Sequence, residues 1–315
     1  MKVAFYFIVG VLSFQCLSHE ITIRKNVEKT AYHHKQESSP EGRLKGPFEF
    51  HSKAFPGTSR HYWIFVPAQY NAASPANVLV FQDGHRAIKG SLSVPRVMTN
   101  LIAKKEIPIT IGIFITPGNR SSHFPEDIIW RNPDNRAQEY DVMDDRYARL
   151  VVDEILPEVA KSYNLTSDPE KRLIGGTSSG AIAAFTVAWH RPEAFRNVYS
   201  AIGSYVSIGF RAYGKNSKLG GQDYPALIRR EAIRPMKVFF QDGNADLDNE
   251  WGNWFLANQQ MVSALAYVNR NANEKELSGP RYQYKAVWTD GKHDDSHGGA
   301  ILPEALKWFW DKDVH

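Results

Sequence analysis

One serine, one aspartate and one histidine in this chain have the types and the order needed for acyl transfer. Gly176-Thr177-Ser178-Ser179-Gly180 reads G-x-S-x-G. A short apolar run ends at the first glycine of this stretch, and an alanine-rich amphipathic segment starts after Gly180. That is strand, sharp turn, helix, the setting of a nucleophile elbow. The turn is crowded, so the residues two before and two after the serine must lack bulk. Ser178 then stands above the sheet edge at a helix N-terminus, where unpaired N–H groups favour developing negative charge.

A serine nucleophile needs a base, and the base needs a group to orient it. Asp246 lies on the loop after the apolar run Met236–Phe240, and His293 on the loop after Tyr284–Trp288. Ser178, Asp246, His293 is the chain order that this elbow topology uses. His297 is the rival base; Asp248, Glu250 and Asp242 are rival acids. Two backbone N–H groups must stabilise the oxyanion. Ser179 supplies one, and Gly84 or His85, after the run Asn77–Phe81, the other.

Two metal patterns fail on inspection. His293 and His297 have H-x3-H spacing but sit on a glycine-flanked segment without the helical glutamate of a zinc protease. The acidic stretch from Asp246 puts Trp251 and Ala257 where a calcium loop needs glycine and glutamate. No metal and no cofactor is expected.

The elements that must position these groups follow from hydrophobic pattern. Residues 48–52 and 60–66 flank a Pro56-Gly57 turn and read as a hairpin. Residues 77–81 and 109–115 are continuous apolar runs, as in strands buried on both faces, with a crossover helix over 92–104. Tyr147–Tyr163 has helical spacing interrupted at Pro157. Further strands fall at 198–202, 236–240 and 284–288, and helices at 224–232, 253–268 and 300–311. Alternating strands and helices define an α/β fold with a mostly parallel central sheet and helices on both faces. Two loop-rich insertions, 116–142 and 203–223, leave strand ends on the side where open α/β sheets bind ligands. They carry Phe124, Trp130, Arg131, Arg136, Tyr205, Phe210, Arg211 and Tyr213. Tyr205, Arg136, Arg211 and Trp130 are the expected substrate contacts, a wall suited to an anionic or aromatic ester.

The 315 residues allow one large domain, and a hydrophobic fraction of 43% is ample for its core. A net charge of +4 without a basic block argues against a nucleic-acid partner. Lys2 followed by the apolar stretch Val3–Phe14 reads as a secretory signal, too short for a membrane span, with cleavage after Ser18. Cys16 is the only cysteine, so the mature chain has no disulfide. The expected organisation is a signal peptide over 1–18, a flexible lead-in over 19–46 and one catalytic domain over 47–315.

The chain also resembles the enterochelin-esterase-like branch of the α/β-hydrolases, near esterase D and the feruloyl esterases. Val80-Phe81-Gln82-Asp83-Gly84, Glu139-Tyr140-Asp141, the elbow, Gln241 to Glu250, Trp254 to Gln260 and Asp290 to Asp294 carry the resemblance. It implies Ser178 as nucleophile and supports His293 and Asp246 as its partners. Lys292 departs from the branch, which often has glycine there; so does Ala181. The expected function is an exported serine carboxylesterase acting on a siderophore-, carbohydrate- or aryl-type ester. An acyltransferase with the same residues, or a non-catalytic carbohydrate- or siderophore-binding module, are the alternatives.

Overall fold

The computed structural model describes residues 20–121, 124–125, 133–210 and 218–311. Among the described residues, nine strands form one sheet. In chain order these are β1 (Glu20–Ile23), β2 (Arg43–His51), β3 (Ser59–Val66), β4 (Asn77–Gln82), β5 (Thr110–Ile115), β6 (Arg172–Thr177), β7 (Asn197–Ala201), β8 (Lys237–Gly243) and, after a two-stranded ribbon of β9 (Asp248–Asn249) and β10 (Gly252–Asn253), β11 (Gln283–Thr289). The sheet order is β1-β11-β8-β7-β6-β4-β5-β3-β2. From β1 to β5 all neighbours are parallel; β3 runs antiparallel to both β5 and β2. The elbow strand β6 is therefore central, flanked by β4 and β7.

Helices cover both faces, and the strand pleat divides their cores. Val78 and Val80 of β4 point to one side and Leu79 and Phe81 to the other. The first face packs under α4 (Arg146–Arg149), a π-helical segment (Leu150–Ile155), α5 (Leu156–Ala160), α6 (Ser179–His190), α7 (Tyr224–Arg230) and α8 (Trp254–Glu274). The second packs under α2 (Val94–Ala103) and α9 (Asp295–Trp310). Short helices α1 (Gly84–Ala87) and α3 (Arg136–Tyr140) follow β4 and precede α4. Pro157 lies at the start of α5, after the π-helical widening, so the missing proline N–H falls where the ladder has already been disturbed.

The structure departs from the expected organisation at the N-terminus. Residues 19–46 are not simply a lead-in: β1 adds to β11 at the sheet edge, and β2 begins at Arg43. A further departure is α9, which begins at Asp295 rather than near residue 300 and so carries His297 on a helix.

Gly118 and α3, which lie between β5 and α4, are anchored by a buried ion pair. Arg60 on β3 donates to Glu139 through Nη1 (2.6 Å) and Nη2 (3.1 Å), and both side chains are fully buried. Glu139 also accepts from the Gly118 N–H (3.1 Å) and Asn135 Nδ2 (2.7 Å). The Arg60 bonds tie this carboxylate to β3, and the Gly118 and Asn135 bonds draw the two ends of the connection together on it. Removing one member of a buried pair leaves the other uncompensated. Glu139→Gln should therefore lower unfolding free energy by about 3 kcal/mol or more, read from urea titration; a loss under about 1 kcal/mol would mean the pair is not an anchor.

Candidate active site

Ser178 joins β6 to α6 with φ 58 and ψ −126, a conformation in which few side-chain-bearing residues rest. Its N–H donates to the Ala201 carbonyl of β7 (3.0 Å). The framing glycines are a packing requirement: a Cβ on Gly176 would stand 2.4 Å from the Gly180 backbone, and one on Gly180 would press on Gln82 at 3.1 Å.

From this turn a hydrogen-bonded chain runs across the ends of three parallel strands. His293 Nε2 meets Ser178 Oγ at 2.9 Å, and His293 Nδ1 meets Asp246 Oδ1 at 2.6 Å. The Asp246 side chain is fully buried, and its Oδ1 also accepts from the Leu247 N–H (2.5 Å). Two residues that pattern reading did not single out join the chain. Ser204, after β7, places its Oγ 3.0 Å from Ser178 Oγ, and Trp254 Nε1 donates to Ser204 Oγ (2.9 Å). The Trp254 ring also stands edge-on to the His293 ring at 5.6 Å. A serine just past a strand end is the only sequence cue for Ser204, and nothing local in the Trp254–Gln260 run signals the contacts of its tryptophan.

Ser179 begins α6 and Gly84 begins α1, so both N–H groups lie in helix first turns without intrahelical partners. Gly84 is confined by β5: a Cβ there would stand 2.5 Å from the Phe114 carbonyl carbon. Asp83, just before it, adopts φ 49 and is buried. Arg136 holds it from both sides, Nη2 to Oδ2 at 2.7 Å and Nε to Oδ1 at 3.0 Å, while Tyr140 Oη meets the Asp83 N–H at 3.2 Å. Burial opposes ionisation of Asp83, but the Arg136 charge and hydrogen bonds, with Arg86 and His85 behind them, hold its carboxyl below the usual range. Burial pushes the His85 imidazole down to about 4, against the attraction of Asp83, and neither of its ring nitrogens has a hydrogen-bond partner. His85 is thus neutral at physiological pH.

The remaining sequence-predicted residues lie elsewhere. His297 turns to Thr289, Nδ1 to Oγ1 at 2.9 Å, rather than to Ser178. Asp248 is exposed on the β9–β10 ribbon, as is Glu250 beside it. Tyr205 does not line a wall. It is 1% exposed, packed among Phe185, Tyr224 and Phe240, with its hydroxyl 2.9 Å from Ser200 Oγ. Arg136 is equally committed, because its guanidinium is spent on Asp83 and lies over the Tyr140 ring. Phe124 stacks on His61 with ring centroids 4.0 Å apart. Trp130, Arg131, Arg211 and Tyr213 lie outside the described residues.

A cavity of about 170 Å³ opens beside the elbow, lined by Gln138, Asp141, Val142, Ile208, Lys218 and Trp251, among others. Asp141 is 5% exposed and links the cavity to the elbow by accepting a hydrogen bond from the Ser179 side chain. Its Oδ1 has no hydrogen-bond partner. Burial pushes this carboxyl up to about 6, against the Ser179 hydrogen bond and the Arg136 charge. Among the described residues, no cluster of three or more His, Cys, Asp or Glu side chains could hold a metal, and no helix is long and apolar enough to cross a membrane.

A parallel sheet with a strained serine elbow at its centre and an acid and a histidine at later strand ends is the architecture of an α/β-hydrolase. The Esterase family model matches residues 52–296, and the chain belongs to that family. It is 22% identical over 166 residues to the uncharacterized protein YbbA of Bacillus subtilis, covering 51% of this chain and 62% of that protein. It is 25% identical over 134 residues to the iron(III) enterobactin esterase of Dickeya dadantii, covering 41% of this chain and 30% of that one. The chain therefore spans less than two thirds of either curated relative. Among solved structures it is similar to the enterobactin esterase of Shigella flexneri in the presence of 2,3-dihydroxy-N-benzoyl-serine (TM-score 0.62, 20% identity, 88% of this chain and 62% of that one). It is also similar to a ferulic acid esterase of Anaeromyces mucronatus in complex with ferulic acid (TM-score 0.64, 16% identity, 88% and 93%).

The raised Asp141 carboxyl carries a stability consequence. An acid whose folded pKa lies above its unfolded value binds more protons when folded, so stability falls as pH rises through that interval. For Asp141 the interval runs from the ordinary 3.8 to about 6. Asp141→Asn should remove this slope and gain up to about 3 kcal/mol at neutral pH, with little gain near pH 4. Urea unfolding at the two pH values checks it; an equal effect at both would mean that Asp141 is not ionised at a cost.

Proposed function

We propose that this chain is a serine carboxylesterase in which Ser178, His293 and Asp246 form the catalytic relay. The observation that carries the reading is the continuous hydrogen-bonded chain from Ser178 Oγ through both His293 nitrogens to Asp246. Ser178 Oγ attacks the ester carbonyl carbon while His293 Nε2 takes its proton. Asp246 keeps the other imidazole proton on Nδ1 and stabilises the imidazolium as it forms. The Ser179 N–H and that of Gly84 or His85 receive the oxyanion. His293 returns the proton to the departing alcohol, leaving an acyl-Ser178. Water, activated by His293, then releases the acid.

The substrate reading changes with the structure. Arg136 is not free to pair with an anionic ester, because Asp83 already takes its Nε/Nη2 edge and the side chain is buried. The free Oδ1 of Asp141 instead calls for a hydrogen-bond donor, and Trp251, 45% exposed on the cavity rim, offers a face to an aromatic ring. A hydroxylated aromatic acyl group supplies both. The dihydroxybenzoyl and ferulic acid ligands of the two solved structures above are of this kind. Export follows as a proposal from Lys2 and the apolar stretch to Phe14, and the N-terminal sequence of the secreted chain would test it.

Ser178→Ala should lower kcat by on the order of 10⁴ or more, with His293→Ala similar and the double variant no worse, since one proton-transfer unit is lost in each. His297→Ala should retain most activity. Labelling by a fluorophosphonate should vanish in Ser178→Ala, fall strongly in His293→Ala and persist in His297→Ala; a dead His297 variant beside an active His293 variant would overturn the assignment.

For the acyl group, kcat/KM on hydroxybenzoyl and unsubstituted benzoyl esters gives the test. Asp141→Asn should narrow the preference for the hydroxylated ester by about tenfold, the value of one hydrogen bond to a charged group. A preference that stays put would remove Asp141 from substrate recognition.

A further inference from the structure

The relay does not stop at Asp246. Asp242, near the end of β8, is fully buried. Its Oδ1 accepts from the Gly243 N–H and its Oδ2 from Asn258 Nδ2, each at 2.7 Å. Asn258 Nδ2 also donates to the Gly203 carbonyl (2.8 Å) and the Trp254 carbonyl (3.0 Å), so three acceptors fix which end of that amide faces Asp242. The Asp242 carboxyl is within hydrogen-bond reach of the Asp246 carboxyl. On Asp246, Oδ1 serves His293 and the Leu247 N–H, while Oδ2 is buried and has no partner among ordinary donors.

Two carboxyl groups in contact and out of water cannot both ionise, since like charges at that range repel strongly in a poorly polarisable interior. Burial first, then the hydrogen bond and charge of Asp246, push the Asp242 carboxyl well above the usual range. Asp246 faces the imidazole and has the stronger reason to carry the charge. The other groups on this side are Asn258 and Trp254 of α8, which do not titrate, and His297 of α9. His297 reaches Asp242 only through Thr289, whose Oγ1 donates to the Asp242 carbonyl at 3.2 Å.

We propose that Asp242 is a positioning residue that keeps its proton and donates it in a hydrogen bond to Asp246 Oδ2. This rests on the reading of Ser178, His293 and Asp246 as a hydrolytic relay. The donated hydrogen bond has two effects. It locks the rotation of the Asp246 carboxylate, so that Oδ1 stays aimed at His293 Nδ1. It also withdraws electron density from that carboxylate, so the proton between Asp246 and His293 stays on nitrogen while the imidazolium forms.

The acid limb of the kcat/KM–pH profile reports His293 in the free enzyme, and its direction of movement decides the matter. Asp242→Asn keeps a neutral donor toward Asp246, so the limb should stay in place and kcat/KM should remain within about threefold of the parent. Asp242→Ala loses the donor. Asp246 becomes more basic, the limb should move to higher pH, and kcat should fall about tenfold. Were Asp242 ionised, both substitutions would remove a negative charge near His293, and both limbs would move to lower pH. That outcome overturns the proposal, as does an unmoved limb in both variants. Infrared difference spectra, which need no turnover, keep it testable if the alanine variant fails to fold. The parent should show a protonated-carboxyl C=O band that Asp242→Asn lacks, and absence of that band in the parent refutes the assignment. Failure of the hydrolytic reading is distinguishable: it appears as a fully active Ser178→Ala, whatever the spectra show.

Discussion

Everything chemical in this structure depends on holding one residue in an unfavourable backbone conformation. A side-chain-bearing residue at φ 58 and ψ −126 is strained by about 1–3 kcal/mol, and nothing in Ser178 itself relieves that. The relief comes from both sides of the turn. β6 is sandwiched between β4 and β7, and α6 is buried along nearly its whole length. Strand and helix can meet only if Gly176 and Gly180 touch without side chains. The strain is thus set against the packing of two cores, and the serine hydroxyl emerges where His293 can reach it.

The same end of the sheet collects buried charge that a purely structural fold would avoid. Asp83 with Arg136, Asp141, and Asp242 with Asp246 all lie within the ends of β4, β6 and β8 or the loops and helices against them. Replacing such groups by apolar packing of the same volume is often neutral or stabilising. Asp83 and Arg136 hold the turn that presents Gly84. Asp141 braces Ser179. Asp242 backs Asp246. Each therefore sits directly behind a group that the proposed reaction uses, a correspondence expected where stability has been exchanged for a preorganised site.

How much of this is legible in the sequence follows from which signals are local. The α/β class is legible because continuous apolar strands and 3.6-residue periodicity are properties of short windows. The loops bearing Ser178, Asp246 and His293 are legible for the same reason: each residue follows an apolar run by a few positions. Arg136 and Tyr205 mislead because loop composition does not tell an exposed arginine from one locked onto Asp83, nor a stacking tyrosine from a core one. Burial of those side chains depends on partners distant in sequence, Asp83 for Arg136 and Phe240 for Tyr205, which no local window contains. Ser204 and Asn258 are silent for the same reason. The edge strand β1 is missed because four residues beside a polar, histidine-containing stretch give too short a pattern to read.

The relay and the fold do not choose the substrate. The enterobactin and ferulic acid esterases share this architecture at 16–20% identity, so what a given member accepts must be set by side chains outside the sheet. In this chain one candidate is a carboxylate held almost out of water, Asp141, with a hydrogen bond from Ser179 and an unpartnered Oδ1. An unpartnered buried acceptor is a standing penalty, relieved only when a donor arrives. A ligand that brings a hydroxyl to Asp141 gains the full value of that relief, whereas an unsubstituted ring of the same shape leaves the penalty in place. Because Asp141 also touches Ser179, whose N–H is proposed to receive the oxyanion, the relief would on that proposal be felt beside the reacting carbonyl. In the proposed reaction, selectivity and preorganisation would then share one side chain.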